Sequence, residues 1–448
     1  MPRSGKMPVI DLKTPVQYKL SNGMTVLVVE NQKFPRVSVS LYIDEPPFME
    51  TDKTGVSDLI SALLGSGTAT ISKDDFNEEI DFLAARISFS IDGGFATCLS
   101  NYFPRVLELL ADAVLHPNFT QNELDKEKAK LLQSIKSGEN SAATISSRVR
   151  NTLIYGKKHP YGEYPTEHTI NRITLTDVQS FYSRYFSPTN AYMVVSGDVQ
   201  VDEVKLLINN YFSAWKPAPS FEKKWIEPDD VAFTQINFVD LPNASQAEIR
   251  VDNLIELTMA NPDYFPMLVA NYILGGGFGS YINMNLREKN GFTYGANSFF
   301  NPNKWTKGTF GISTKVRSSV VGEAITQILS EIHRIRTEAV SDAHIAQAKA
   351  NYLGSFIRAA ENPQTTARYA INIKTRNLPD DFYKTYIANI NAVTKEDILR
   401  VAHKYFKINK LRFVVVGKGS EILPTLTALT FQGKNIPVVC FDKFANLI

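Results

Sequence analysis

The chain has 448 residues, 44% of them hydrophobic and 21% charged, enough to bury large cores in two or three domains. Its formal charge is +2, with 48 Lys and Arg against 46 Asp and Glu, so no net field recruits nucleic acid or an anionic membrane. Two cysteines, Cys98 and Cys440, are too few for a disulfide framework and too far apart for a close-spaced metal motif, and no stretch approaches a membrane span.

The segment Met1 to Lys13 carries Arg3 and Lys6 but no apolar run behind them, so the sequence as it stands is expected to be neither exported nor anchored, unless a signal has been removed from it. Alternation over Gln17 to Leu20, the Ser21-Asn22-Gly23 turn and the run Thr25 to Val29 predict a hairpin, with another strand over Val37 to Ile43. Helical periodicity follows at Val56 to Leu64, Asp74 to Ala85, Tyr102 to Val114 and Gln121 to Lys136. Next comes a unit that occurs twice. Thr174 and Asp177 open an amphipathic helix ending at Tyr185-Phe186, then Met193-Val194-Val195 leads to Gly197; Thr394 and Asp397 open its copy, ending at Tyr405-Phe406, and Phe413-Val414-Val415 leads to Gly417. The copies are offset by 220 residues throughout, from Thr174 to Thr394 and from Gly197 to Gly417. A threonine three residues before an acid suits a helix start, where hydroxyl and carboxylate meet free N–H groups and the positive end of the dipole. An ungapped match of this length indicates duplication of half the chain, with a period far too long for a solenoid. The stretch Lys216-Pro217-Ala218-Pro219-Ser220, followed by Glu222-Lys223-Lys224, reads as the linker and places the halves at 1–224 and 225–448. Mixed strands and helices predict an α+β class, two sandwiches with helices on one face of largely antiparallel sheets.

Familiar catalytic schemes are missing. Ser146-Ser147 lacks a nucleophile elbow, neither cysteine has a nearby His, and Gly275-Gly276-Gly277-Phe278-Gly279 is followed by no Lys-Ser/Thr and sits in no βαβ unit. The six histidines, His116, His159, His168, His333, His344 and His403, include no pair at the three- or four-residue spacing that places two ligands on one helix face.

The frame Gly55-Val56-Ser57-Asp58-Leu59-Ile60-Ser61-Ala62-Leu63-Leu64-Gly65-Ser66-Gly67-Thr68 resembles the zinc helix of pitrilysin-type (M16) metallopeptidases. In that family an inverted motif, His-x-x-Glu-His, holds zinc through its histidines and polarises water through its glutamate. Carried onto this chain, the resemblance puts Asp58 at the first His, Ser61 at the Glu and Ala62 at the second His, with Ser134 at the third ligand on a later helix. It implies no metal and no catalytic residue on this chain alone. His159-Pro160-Tyr161-Gly162 resembles a structural loop of the same family.

The second half keeps a different signature. Leu274-Gly275-Gly276-Gly277-Phe278-Gly279-Ser280-Tyr281, then Leu286-Arg287-Glu288-Lys289-Asn290-Gly291-Phe292-Thr293-Tyr294-Gly295, closely resembles the family's C-terminal block, a glycine turn, a short helix ending Leu-Arg-Glu, and Gly-x-x-Tyr entering a strand. Arg287 and Tyr294 match the Arg and Tyr that position the peptide and stabilise the developing oxyanion there. A guanidinium fork and a phenol are suited to that task.

The resemblance covers nearly the whole chain and implies the duplicated αβ sandwich of the M16 metallohydrolase fold. It further implies the non-zinc subunit of a two-chain bacterial peptidase of the M16B type, paired with a zinc-bearing M16 chain and acting on short or unstructured peptides. The alternative is a non-enzymatic structural or peptide-binding subunit resembling the core proteins of respiratory complexes. By the same resemblance a periplasmic or envelope location is expected, with the cytoplasm as the alternative.

Overall fold

The alternating runs on either side of Ser21-Asn22-Gly23 form strands β1 (Val16–Lys19) and β2 (Thr25–Glu30), paired antiparallel, and Gly23 takes a left-handed φ of +102° that favours glycine. This computed structural model describes residues 14–360 and 362–448. Met1 to Lys13, on which the expectation about an export signal rests, lie outside the described residues.

Those residues divide into two compact units. One takes the residues up to Ile135, Pro165–Lys224 and Ser355–Lys384; the other takes Lys136–Tyr164, Trp225–Gly354 and Thr385–Ile448. The contiguous halves 1–224 and 225–448 describe the repeat in the sequence, and the compact units depart from them by one exchanged segment each.

In the first unit, β1 and β2 are joined by β3 (Arg36–Ile43), β4 (Arg86–Ser90), β5 (Gly93–Leu99) and β6 (Ala191–Gly197) in the order β1-β2-β6-β3-β5-β4, antiparallel except for β2 with β6. The second unit uses β7 (Gln235–Asp240), β8 (Ala247–Ile255), β9 (Ala296–Asn301), β10 (Gly308–Val316) and β11 (Arg412–Gly417). After a short ribbon, β12 (Thr430–Phe431) with β13 (Lys434–Asn435), strand β14 (Val438–Phe441) completes the order β14-β7-β11-β8-β10-β9. From β2 to β4 and from β7 to β9 the two sheets run in the same order. The repeat holds down to single bonds. Gly197 pairs with Glu30 and Gly417 with Asp240, each closing the parallel pair. Glu30 then accepts the N–H of Val201 (2.8 Å) and Asp240 that of Gly419 (2.7 Å), at the first turn of the helix that follows each strand. Thr174/Asp177 and Thr394/Asp397 both form complete capping boxes.

Most helices cover one face of each sheet. In the first unit Val56–Leu63, Phe103–Leu115, Leu175–Tyr185 and Val201–Phe212 build the core; in the second Tyr264–Asn271, Val321–Thr337 and Lys395–Tyr405 do so. Side chains alternate along a strand, so the unbroken apolar runs must put residues on both faces. Met193 and Val195 face the main core, whereas Val194 meets Ala367 and Ala370 of helix Pro363–Thr375. Likewise Phe413 and Val415 face the core, whereas Val414 and Val416 meet Ile145 and Val149 of helix Ala142–Tyr155. Each exchanged segment thus supplies the helix that covers the second face. The helix Ala142–Tyr155 is also pinned by charge: Arg150 Nε donates to Asp252 Oδ1 (2.8 Å) on β8, and a terminal nitrogen of Arg150 donates to Thr309 Oγ1 (3.1 Å) on β10. Among the described residues no helix is long and apolar enough to cross a membrane.

Candidate functional site

Helix Val56–Leu63 buries Val56, Leu59, Ile60 and Leu63, which turns Asp58 and Ala62 outward, one helical turn apart on an exposed face. That is the geometry two ligating histidines would need, but an Ala offers no donor. Ser61, which the resemblance sets at the glutamate, is committed to the fold. Its hydroxyl donates to the carbonyl of Ser57 (2.8 Å) and accepts the N–H of Ile91 (2.8 Å) in the turn between β4 and β5. Ser61 is thus a pin between helix and sheet. Gly55, at φ +104°, starts the helix without a capping side chain. Glu50 replaces it, accepting the N–H groups of Gly55 (2.6 Å) and Ser57 (3.2 Å). Burial raises the Glu50 carboxyl pKa, opposed by its bonds to Ser57 and Gly55. Ser134 is exposed on helix Gln121–Gly138.

The second-unit block is rigidly founded. A Cβ on Gly275 would lie 2.6 Å from the backbone nitrogen of Ser298 on β9, so the glycine turn packs against that strand as only glycine can. Asn283, buried, ties the block together: its amide donates to the carbonyl of Phe278 (2.7 Å) and its oxygen accepts the N–H of Ala296 (3.3 Å), where β9 begins. The helical segment continues through the wide turn Met284–Lys289, which carries Arg287. Tyr294 follows in the loop before β9, held by Thr293, whose hydroxyl accepts the N–H of Gly295 (3.1 Å) and is bonded by Thr314 (3.1 Å) on β10.

On this foundation the two side chains singled out in the sequence, Arg287 and Tyr294, are left open. Tyr294 is 93% exposed, and its hydroxyl makes no hydrogen bond among the described residues. Arg287 lies with its guanidinium carbon 4.8 Å from the centre of the Phe278 ring, and its Nε is 3.3 Å from Glu288. Its two terminal nitrogens donate to no group among the described residues. The Phe278 platform, the Asn283 tie and the Glu50 cap were not foreseen from the sequence. Only Glu50 left a signal there, as an acid shortly before a helix that begins on an uncapped glycine.

Other candidates resolve into structure. His159 is buried; its Nδ1 accepts the N–H of Tyr161 (3.0 Å), so the proton sits on Nε2, which faces Thr306 Oγ1 at 3.3 Å. Cys98 is buried, and burial pushes its thiol up to about 11, away from the reactive thiolate. Among the described residues no group of three or more His, Cys, Asp or Glu side chains is placed to hold a metal ion.

Residues 25–159 match the family described as Insulinase (Peptidase family M16), and residues 172–352 match the Peptidase M16 inactive domain. Among curated proteins, the non-peptidase homolog YmxG of Helicobacter pylori is 21% identical over 375 residues, 82% of this chain and 85% of that one. The uncharacterized zinc protease YmxG of Bacillus subtilis is 22% identical over 404 residues, 87% of this chain and 95% of that one. Among solved structures, a peptidase M16 inactive domain from Pseudomonas fluorescens superposes with a TM-score of 0.82 at 22% identity, over 91% of this chain and 98% of that one. A protease from Helicobacter pylori gives the same TM-score at 19% identity, over 91% and 100%. At such identities the structures speak to the fold. Combined with a zinc helix that carries Asp58, Ser61 and Ala62, these matches show that the chain belongs to the M16 peptidase family and is an inactive member of it.

Proposed function

We propose that this chain is the zinc-less subunit of a two-chain peptidase, presenting Arg287 and Tyr294 to the zinc site of a zinc-bearing M16 partner. The observation that carries the reading is the pair of uncommitted donors. A guanidinium with its Nε beside Glu288 and its terminal nitrogens bonded to nothing among the described residues, and a phenol that is 93% exposed, stand on backbone fixed by Asn283, Thr293 and Thr314. Preorganised donors of this kind lower the energy of a carbonyl oxygen as it gains negative charge, and they need no rearrangement when it does. The guanidinium offers a planar fork to the peptide oxygen and the phenol a single directed O–H. Zinc, its ligands and the general base come from the partner. The substrate is a short or unfolded peptide, whose extended backbone can be held by main-chain hydrogen bonds with broad tolerance of sequence. One relative, from Arabidopsis thaliana, is named a probable mitochondrial-processing peptidase subunit beta, and a peptidase made of distinct subunits suits the same division of labour.

The test is an assembled pair carrying Arg287→Ala or Tyr294→Phe. Each change should lower turnover by about 10²-fold to 10³-fold, the cost of one lost oxyanion donor in other enzymes, with the pair still associated by gel filtration. Arg287→Lys should recover only part of the rate, because an ammonium cannot reproduce the fork. Full activity in both variants would leave the structural or peptide-binding subunit as the better account.

A further inference from the structure

Phe278 is 68% exposed at the tip of the glycine turn, with the Arg287 guanidinium over its ring at 4.8 Å. Exposing an aromatic ring forfeits its burial, yet here the backbone that carries the ring is held in place. Its carbonyl is fixed by the buried Asn283 amide at 2.7 Å, and a Cβ on the preceding Gly277 would lie 2.7 Å from the Tyr272 ring. Met284, 44% exposed, precedes Arg287 by three residues on the same helical segment, and the 68% exposed Phe278 ring leaves apolar surface open beside the cation. A guanidinium lying over a ring keeps its N–H groups free at its edges, while the ring fixes its plane.

We infer that Phe278 is a positioning residue for Arg287, and that the exposed surface of its ring selects peptides carrying an aromatic or large aliphatic side chain beside the carbonyl that Arg287 holds. This inference rests on the peptide-binding reading of the Arg287/Tyr294 block and deepens it. An acidic side chain at that position would instead pair with Arg287 and draw the fork away from the backbone carbonyl. A glycine there would leave the Phe278 ring uncovered.

The experiment uses the full chain and two fluorescein-labelled unstructured peptides that differ at one central position, Phe in one and Gly in the other, with affinities read by anisotropy. The unaltered chain should prefer the Phe peptide by about five-fold, the scale of one partly exposed aromatic or cation–π contact. Phe278→Leu, which keeps bulk without a π face, should remove most of that preference and weaken both peptides; Phe278→Tyr should retain it. Arg287→Ala should weaken both peptides whatever the central residue. If Arg287→Ala weakens binding while Phe278→Leu leaves affinity and preference unchanged, the platform is overturned and the peptide site stands. If the chain binds neither peptide, or Arg287→Ala changes nothing, the peptide-binding reading fails and the platform fails with it.

Discussion

Arg150→Ala is expected to destabilise the second unit by about 3–5 kcal/mol at neutral pH. Asp252 is 1% exposed, and its Oδ1 takes two donors from Arg150 while its Oδ2 makes no hydrogen bond among the described residues. Burial already raises its pKa, and Arg150 supplies the largest opposing attraction. Without Arg150 the carboxylate at that depth takes up a proton. Protonation relieves part of the penalty of a stranded buried charge, which limits the cost at neutral pH. The sign follows from linkage: a carboxyl whose folded pKa is raised costs nothing below its unfolded pKa and progressively more above it, so the loss should shrink as pH falls toward about 4. Urea unfolding followed through Trp225 and Trp305, both in the second unit, reads the change. Arg150→Met combined with Asp252→Leu should recover more than half of it, since removing both charges strands neither. A single-variant loss under about 1 kcal/mol, or a double variant no more stable than the single one, would refute the view that this pair docks the exchanged helix.

Three further outcomes are expected. The purified chain should hold no stoichiometric zinc, because Ala62 and Ser134 offer no ligand side chain suited to it and Ser61 is engaged with Ser57 and Ile91; one tightly bound zinc per chain by elemental analysis contradicts this. Ser61→Ala should cost the first unit about 1–2 kcal/mol in urea unfolding, as the N–H of Ile91 loses its acceptor, and an unchanged midpoint would deny the pin. Asp263 is desolvated, but Lys404, Arg400 and Tyr405 bond its carboxylate and bring its pKa down to about 2. Its folded pKa lies below its unfolded one, so its contribution is fully present above about pH 4 and lost as pH falls through about 2. Screening of the exposed Arg400 and Lys404 reduces this to about 1–2 kcal/mol, and Asp263→Asn should flatten the acid limb of the stability profile.

What could be read from the sequence was what is local or repeated. The capping boxes at Thr174 and Thr394 are three-residue patterns, and the matched Val runs fixed the central strand of both sheets. The exchange of helices was not legible, because Ala142–Tyr155 and Pro363–Thr375 bury only a few side chains, some as small as Ala367 and Ala370, against strands far away in sequence. The same runs held a clue: strands apolar on successive residues need cover on both faces, and helices from their own half supply only one. The departure of the Gly55 to Thr68 frame from the family's zinc motif was visible once the two were laid together. The new employment of Ser61 was hidden, since its partner Ile91 lies 30 residues on in a turn whose path only the fold determines. The stacking of Arg287 on Phe278 was hidden for a similar reason, as it depends on how the glycine turn folds back.

The measurement closest to the central claim is reconstitution. This chain and a zinc-bearing M16 chain, each purified alone, are mixed with an unstructured peptide, and cleavage is followed by mass spectrometry. The account predicts negligible cleavage by either chain separately and cleavage by the pair that requires this chain's Arg287. Cleavage by this chain alone, or a zinc-bearing chain equally active with and without it, would contradict the account.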